Sequence, residues 1–114
     1  MTDCERPIQL GVFTVGEKPA PLVYQFTDFD GVIINLTGYT AKFNWQPLDG
    51  AAASANASVT LPLEGKAQYT WTGSEFLTPG PYQAQMWVGN GTNRWASVKI
   101  RWTVQAGVGN APAI

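Results

Sequence analysis

Histidine is absent from this chain of 114 residues, and cysteine occurs once. Without histidine there is no histidine-based triad, no imidazole metal site and no general base of the commonest kind. The lone Cys4 closes no internal disulfide, a single thiolate makes no zinc site, and no motif surrounds it. Charge is scarce too. Seven Lys and Arg against eight Asp and Glu leave a formal net charge of −1, and only 13% of residues are charged. That balance provides no global attraction for nucleic acid or anionic lipid. No stretch approaches the roughly 18 apolar residues of a membrane-spanning helix. Met1 to Leu10, with Asp3, Glu5 and Arg6, holds no apolar run of the kind that marks a secretory signal. The expectation is a chain made in a cytoplasm and released, if at all, outside the secretion pathway.

Helical periodicity is almost absent as well. What recurs is alternation with period two, in a chain with 12 glycines, 8 prolines and 12% aromatic residues. Ile8, Leu10 and Val12 share one phase and Phe13 and Val15 the other. Gly11 lies where the phase slips, so a bulge is expected there. Leu22, Tyr24 and Phe26 alternate with Val23, Gln25 and Thr27. Asp28, Asp30 and Gly31 form a turn, and Val32 to Leu36 is a short apolar stretch. Ala41, Phe43 and Trp45 point one way; Lys42, Asn44 and Gln46 point the other. Pro47-Leu48-Asp49-Gly50 reads as a turn. Ala51 to Ser58 reads as a flexible loop rather than a weak helix. Val59, Leu61 and Leu63 then read as a strand, which Pro62 places at a sheet edge. Ala67, Tyr69 and Trp71 alternate with Lys66, Gln68 and Thr70, and one helical turn is expected over Ser74 to Leu77. Tyr82, Ala84, Met86 and Val88 face one side, and Gly89 to Asn93 form a hairpin loop. The last strand places Ala96, Val98, Ile100, Trp102 and Val104 on one face, with Trp95, Ser97, Lys99, Arg101 and Thr103 on the other.

About seven strands at this spacing describe an all-β fold, an antiparallel immunoglobulin-like sandwich without a disulfide. The core is expected to hold Trp45, Tyr69, Met86, Val98, Ile100 and Trp102. The domain spans residues 8–104, between a flexible N-terminus (1–7) and a flexible C-terminal tail (105–114). Gly80-Pro81-Tyr82-Gln83-Ala84 has the form of a tyrosine corner, in which the phenol bonds back to an upstream backbone group. Ala84 stands where antibody domains place their second cysteine, so packing alone holds the layers together.

Candidate chemistry is sparse. Asp28 and Asp30, with Asp49, have the residue types for a cation site, but carboxylates of this kind usually cap turns. Glu64 and Glu75 are an acid/base pair only if the fold joins them; solvated loop carboxylates are the commoner outcome. Lys42, Lys66 and Lys99 alternate outward, and no activated nucleophile is visible. No catalytic residue, metal or cofactor is assigned. Three Asn-x-Ser/Thr sequons, at Asn35, Asn56 and Asn90, are expected to be chance matches, since no secretory signal is visible. Lys99 and Arg101, with Arg94 nearby, make a small basic stripe on the last strand. Trp87 and Trp95 are out of phase with their apolar neighbours and flank the Gly89–Asn93 loop. In a regular hairpin they pair across strands on the outside of the sheet. They then form either a docking patch, with Arg94, Asn90 and Asn93, or a pair sheltered by another part of the molecule.

The segment Asp28 to Gly50, DFDGVIINLTGYTAKFNWQPLDG, is similar to the opening half of the immunoglobulin-like domain of phage baseplate upper proteins. Gly65-Lys66-Ala67-Gln68-Tyr69 and Leu77-Thr78-Pro79-Gly80-Pro81-Tyr82 resemble its second half, so the resemblance runs from about Leu10 to Val104. It implies a non-enzymatic structural protein of a tailed-phage virion, in several copies on a symmetric assembly of tail, baseplate or capsid proteins. It also implies assembly in the host cytoplasm; from the charge balance and the lack of a long apolar run, no nucleic-acid or membrane partner is expected. Because family members often carry this domain at the start of a longer chain, a domain of this length standing alone is expected to be an accessory protein. A carbohydrate-binding module, with Trp87 and Trp95 stacked on sugar rings of a host glycan, is the alternative from another class.

Overall fold

A computed structural model of the chain describes residues 7–48, 50–109 and 112. Cys4 and Asp49 lie outside the described residues. The chain runs through eight strands: β1 (Ile8–Thr14), β2 (Leu22–Gln25), β3 (Thr40–Pro47), β4 (Ala53–Leu61), β5 (Lys66–Tyr69), β6 (Gly80–Gly89), β7 (Arg94–Ala96) and β8 (Ile100–Gln105). Hydrogen bonds link them in the order β1-β8-β6-β3-β4-β5-β2, with β7 added to β6. The sheet curls into two layers at β4. Ala53–Ala57 pair with β3 in one layer, and Ser58–Leu61 pair with β5 in the other. The pairing skips a residue between Val59 and Leu61, and a bulge of this kind bends a strand from one layer into the next.

The all-β sandwich is as expected; several details differ. β1 pairs with β8 in parallel, whereas every other named pair is antiparallel. These are the first and last strands, joined by no hairpin, so nothing in the connection imposes an antiparallel partner. The bulge in β1 falls between Gln9 and Gly11, where the phase slip located it, and Gly11 has φ 105°. Ala51–Ser58 is no loop. β4 covers most of it, with Ala53, Ala55 and Ala57 half-buried and Ser54, Asn56 and Ser58 exposed. Pairing on both flanks overrides the poor strand propensity of alanine and serine. Pro62 does not mark an edge strand: it starts a 3-10 turn, Pro62–Glu64, after β4 has ended. A second 3-10 turn, Ser74–Phe76, occupies the expected helical site.

Both layers supply the core. Phe43 of β3 stacks on Tyr69 of β5 with ring centroids 4.1 Å apart, and Tyr82 of β6 stacks on Trp102 of β8 at 5.5 Å. Tyr69, Met86, Ile100 and Trp102 are buried as expected, while Trp45 and Val98 are only half-buried. The Tyr82 hydroxyl donates to the Thr78 carbonyl at 2.6 Å, forming the tyrosine corner. β8 runs through Gln105, one residue past the expected boundary, and the Val15 amide bonds the Gln105 carbonyl at 2.9 Å.

Gly65, which ends the first 3-10 turn, sits at φ 68° where a Cβ would lie 2.8 Å from the Ile34 carbonyl oxygen and 2.9 Å from that of Phe26. Gly38, at φ 84°, has nothing within 4 Å. Gly65→Ala combines backbone strain with a clash against two carbonyls that cannot retreat. It is expected to lower unfolding stability by about 2–3 kcal/mol, against about 1 kcal/mol for Gly38→Ala. Urea unfolding midpoints check this, and equal losses would contradict it.

Candidate functional site

The β6–β7 hairpin decides where the two candidate indoles point. Its loop is Asn90–Asn93: the Asn90 amide bonds the Asn93 carbonyl at 3.1 Å, and Asn90 Oδ1 accepts from the Thr92 and Asn93 amides at 2.9 and 2.7 Å. With four residues in the loop, Gly89 pairs with Arg94, Val88 with Trp95 and Trp87 with Ala96. Trp95 therefore shares the inward face of the buried Val88. It is half-buried against the core, and its Nε1 donates to the Tyr39 hydroxyl at 3.4 Å. The expected outward Trp87–Trp95 pair does not form. It rested on a hairpin one residue longer, and a one-residue change in register moves a side chain to the other face. Ser97, expected outward, is likewise buried; its Oγ accepts from the Met86 amide at 2.9 Å and donates to the Val98 carbonyl at 2.7 Å. The strand pattern breaks over Ser97–Lys99, which restores the expected phase from Ile100 onward.

Trp87 stays on the outer face, half-buried and not part of the core cluster. Opposite it on β3 is Lys42, whose Nζ donates to Asn56 Oδ1 of β4 at 2.7 Å. A cleft of about 540 Å³ opens here, lined by Thr40, Lys42, Asn44, Ser54, Trp87 and Arg94 among others. A smaller one of about 220 Å³ continues past Trp87 to Gln83, Gln85 and Lys99. Lys42, Arg94, Lys99 and Arg101 are all exposed, and with Trp87 between them they give this face a positive potential. The acidic residues among the described ones are Glu17, Asp28, Asp30, Glu64 and Glu75, and none lies in β3, β6, β7 or β8. Of the five candidate residues, Trp87 and Arg94 line the cleft, Asn90 and Asn93 build the hairpin turn, and Trp95 turns inward. Lys42, on the neighbouring strand β3, was not among the candidates; its outward phase beside the apolar Ala41 and Phe43 was the available signal.

Sequence reading also missed an apolar end. Phe29, Val32, Ile33, Leu61 and Leu63 are all exposed. The segments that carry them meet through hydrogen bonds from the Leu36 amide to the Pro62 carbonyl and from the Phe26 amide to the Gly65 carbonyl, at 2.9 and 2.8 Å.

The carboxylates divide sharply. Asp28 caps its turn: Oδ1 accepts from the Asp30 and Val32 amides at 2.9 and 3.0 Å. Glu64 is exposed and pairs with Lys66 at 3.3 Å. Glu75, expected in solvent, is fully buried. It accepts from the Gly73 amide at 3.0 Å, from the Thr72 amide and hydroxyl at 3.2 Å, and from the Tyr69 hydroxyl. Glu64 is exposed and Glu75 buried, and the two share no partner in these contacts. Glu75 instead ties the 3-10 turn to β5. Burial, then the hydrogen bond and negative charge of Glu75, hold the Tyr69 phenol well above the ordinary tyrosine pKa.

No family model matches the sequence, and no curated protein matches it significantly. Among solved structures, the N-terminal domain of phage TP901-1 ORF48 is similar, with a TM-score of 0.65 over 90% of this chain and 92% of that one. Sequence identity is 12%. The likeness is one of fold.

The raised Tyr69 pKa has a signed consequence. A phenol that ionises at ~10 in the unfolded chain but later in the folded one contributes stability below pH ~10 that is lost as pH rises through the folded value. Tyr69→Phe is expected to cost about 1–3 kcal/mol at neutral pH, by removing a donor from a buried carboxylate, and to flatten the alkaline decline. Unfolding midpoints across the alkaline range measure both effects. A variant that declines as steeply as the wild type would contradict the assignment.

Proposed function

We propose that this chain is a non-enzymatic structural component of a tailed-phage virion, an immunoglobulin-like module that docks on a larger symmetric assembly of tail, baseplate or capsid-surface proteins. The observation that carries this reading is the fold shared along nine-tenths of both chains with a phage protein domain. The tyrosine corner at Tyr82 and the curled β1-β8-β6-β3-β4-β5-β2 order support the immunoglobulin-like description. A structural role fits the disposition of the polar groups. Glu75, the one deeply buried carboxylate among the described residues, is committed to backbone and phenol donors, while accessible polar groups line the open cleft beside Trp87, a surface suited to protein contact. Its partners are other virion proteins, and it joins them during assembly in the host cytoplasm.

The sugar-binding alternative loses half of its platform, because Trp95 packs inward and only Trp87 remains on the outer face. Mass spectrometry of purified phage particles is expected to find the chain at a fixed copy number. About three to twelve copies would point to a baseplate or head–tail junction, and hundreds to a shell lattice. Its absence from particles, together with glycan binding that disappears in Trp87→Ala, would replace this reading with the sugar-binding one.

A further inference from the structure

Phe29 stands at the tip of a rigid turn with its side chain wholly exposed. The turn is closed from both sides. The Asp28 amide bonds the Val32 carbonyl at 2.9 Å, the Gly31 amide bonds the Asp28 carbonyl at 3.0 Å, and the Asp28 carboxylate holds two further amides. Gly31, at φ 79°, provides the left-handed residue that closes it. A large apolar ring normally folds back onto its own domain. Here four hydrogen bonds fix the backbone of the turn while the ring at its tip projects into water, flanked by Asp28 and Asp30. Preorganised aromatic residues of this kind bind at low entropic cost, because their turn is already ordered before contact.

The same chain carries a surface of matching chemistry. The cleft beside Trp87 has an indole on its wall, Lys42 and Arg94 at its sides, and about 540 Å³ of space, ample for a phenyl ring. We propose that the Asp28–Gly31 turn of one copy inserts into the Trp87 cleft of a second copy, with Phe29 against the indole and Asp28 and Asp30 facing Lys42 and Arg94. The two surfaces are different parts of the molecule, so the contact is heterologous. It leaves an unused turn on one partner and an unused cleft on the other, and repetition builds a ring where the rotation closes and a filament where it does not. Opposite charges steer the encounter, and stacked rings supply the lasting attachment. The inference goes beyond the virion reading and does not depend on it.

Sedimentation velocity of the purified 114-residue chain tests the contact. The wild type is expected to associate with rising concentration, and less so in high salt. Phe29→Ala and Arg94→Glu are each expected to weaken association about 30-fold or more while leaving the melting temperature unchanged, because both side chains are exposed. Phe29→Ala keeps its cleft and Arg94→Glu keeps its turn, so mixing the two restores one contact and yields a 1:1 pair that grows no further. A wild type that stays monomeric at every attainable concentration would overturn the proposal. So would a Phe29→Ala chain that associates like the wild type, or a mixture in which no pair forms. Absence of the chain from phage particles would sink the virion role and leave these solution results standing.

Discussion

The indole of Trp71 is the contact on which the rest of the fold depends. Its ring lies 5.6 Å from Phe43 of β3, 5.4 Å from Tyr69 of β5, 5.1 Å from Phe76 of the second 3-10 turn and 5.4 Å from Trp102 of β8. Its Nε1 donates to the Ala20 carbonyl, just before β2, at 3.0 Å. One side chain therefore joins both layers, the corner between them and the approach to the edge strand. Tilted and edge-on aromatic pairs each add about 0.5–1.5 kcal/mol beyond the area they bury. With no disulfide between layers, this network does what a crosslink does in antibody domains. It also places Tyr69 for Glu75 and, through Trp102, Tyr82 for the tyrosine corner.

Much of this was legible because alternation is a direct imprint of a two-faced strand. Tyr82, Ala84, Met86 and Val88 are all buried, and the Gly11 bulge falls at its phase slip. Legibility failed where a local cue competed with pairing partners that sequence does not show. The run Ala53-Ser54-Ala55-Asn56-Ala57-Ser58 alternates perfectly, yet its small residues read as loop until β3 and β5 flank it. The parallel partnership of β1 and β8 left no trace, since it joins residues more than ninety positions apart.

The candidate site was legible only in part, for reasons of register and burial. Trp87 and Trp95 look symmetric about Gly91, but the hairpin closes between Gly89 and Arg94, and that single residue separates an outward indole from an inward one. Glu75 follows a glycine and a serine and reads as a solvated carboxylate. Nothing nearby announces that the Tyr69 hydroxyl and the Thr72 and Gly73 amides converge on it. A net charge of −1 also conceals a segregated surface: Lys42, Arg94, Lys99 and Arg101 gather on one sheet face while Asp28, Asp30 and Glu64 lie in turns at an edge. Summed charge describes a molecule at long range; its neighbours meet the local field.

The parallel pairing of β1 with β8 sets how the domain carries load. Ile8 lies beside Ile100 and Thr14 beside Gln105, so the free end of β1 and the free end of β8 point in opposite directions along the same pair. Tension applied through the two ends of the chain slides one strand along the other rather than peeling them apart. The slanted bonds of the parallel ladder on either side of the Gly11 bulge then share the force together instead of failing one at a time. A domain closed in this way resists stretching along its length far better than unzipping from its side.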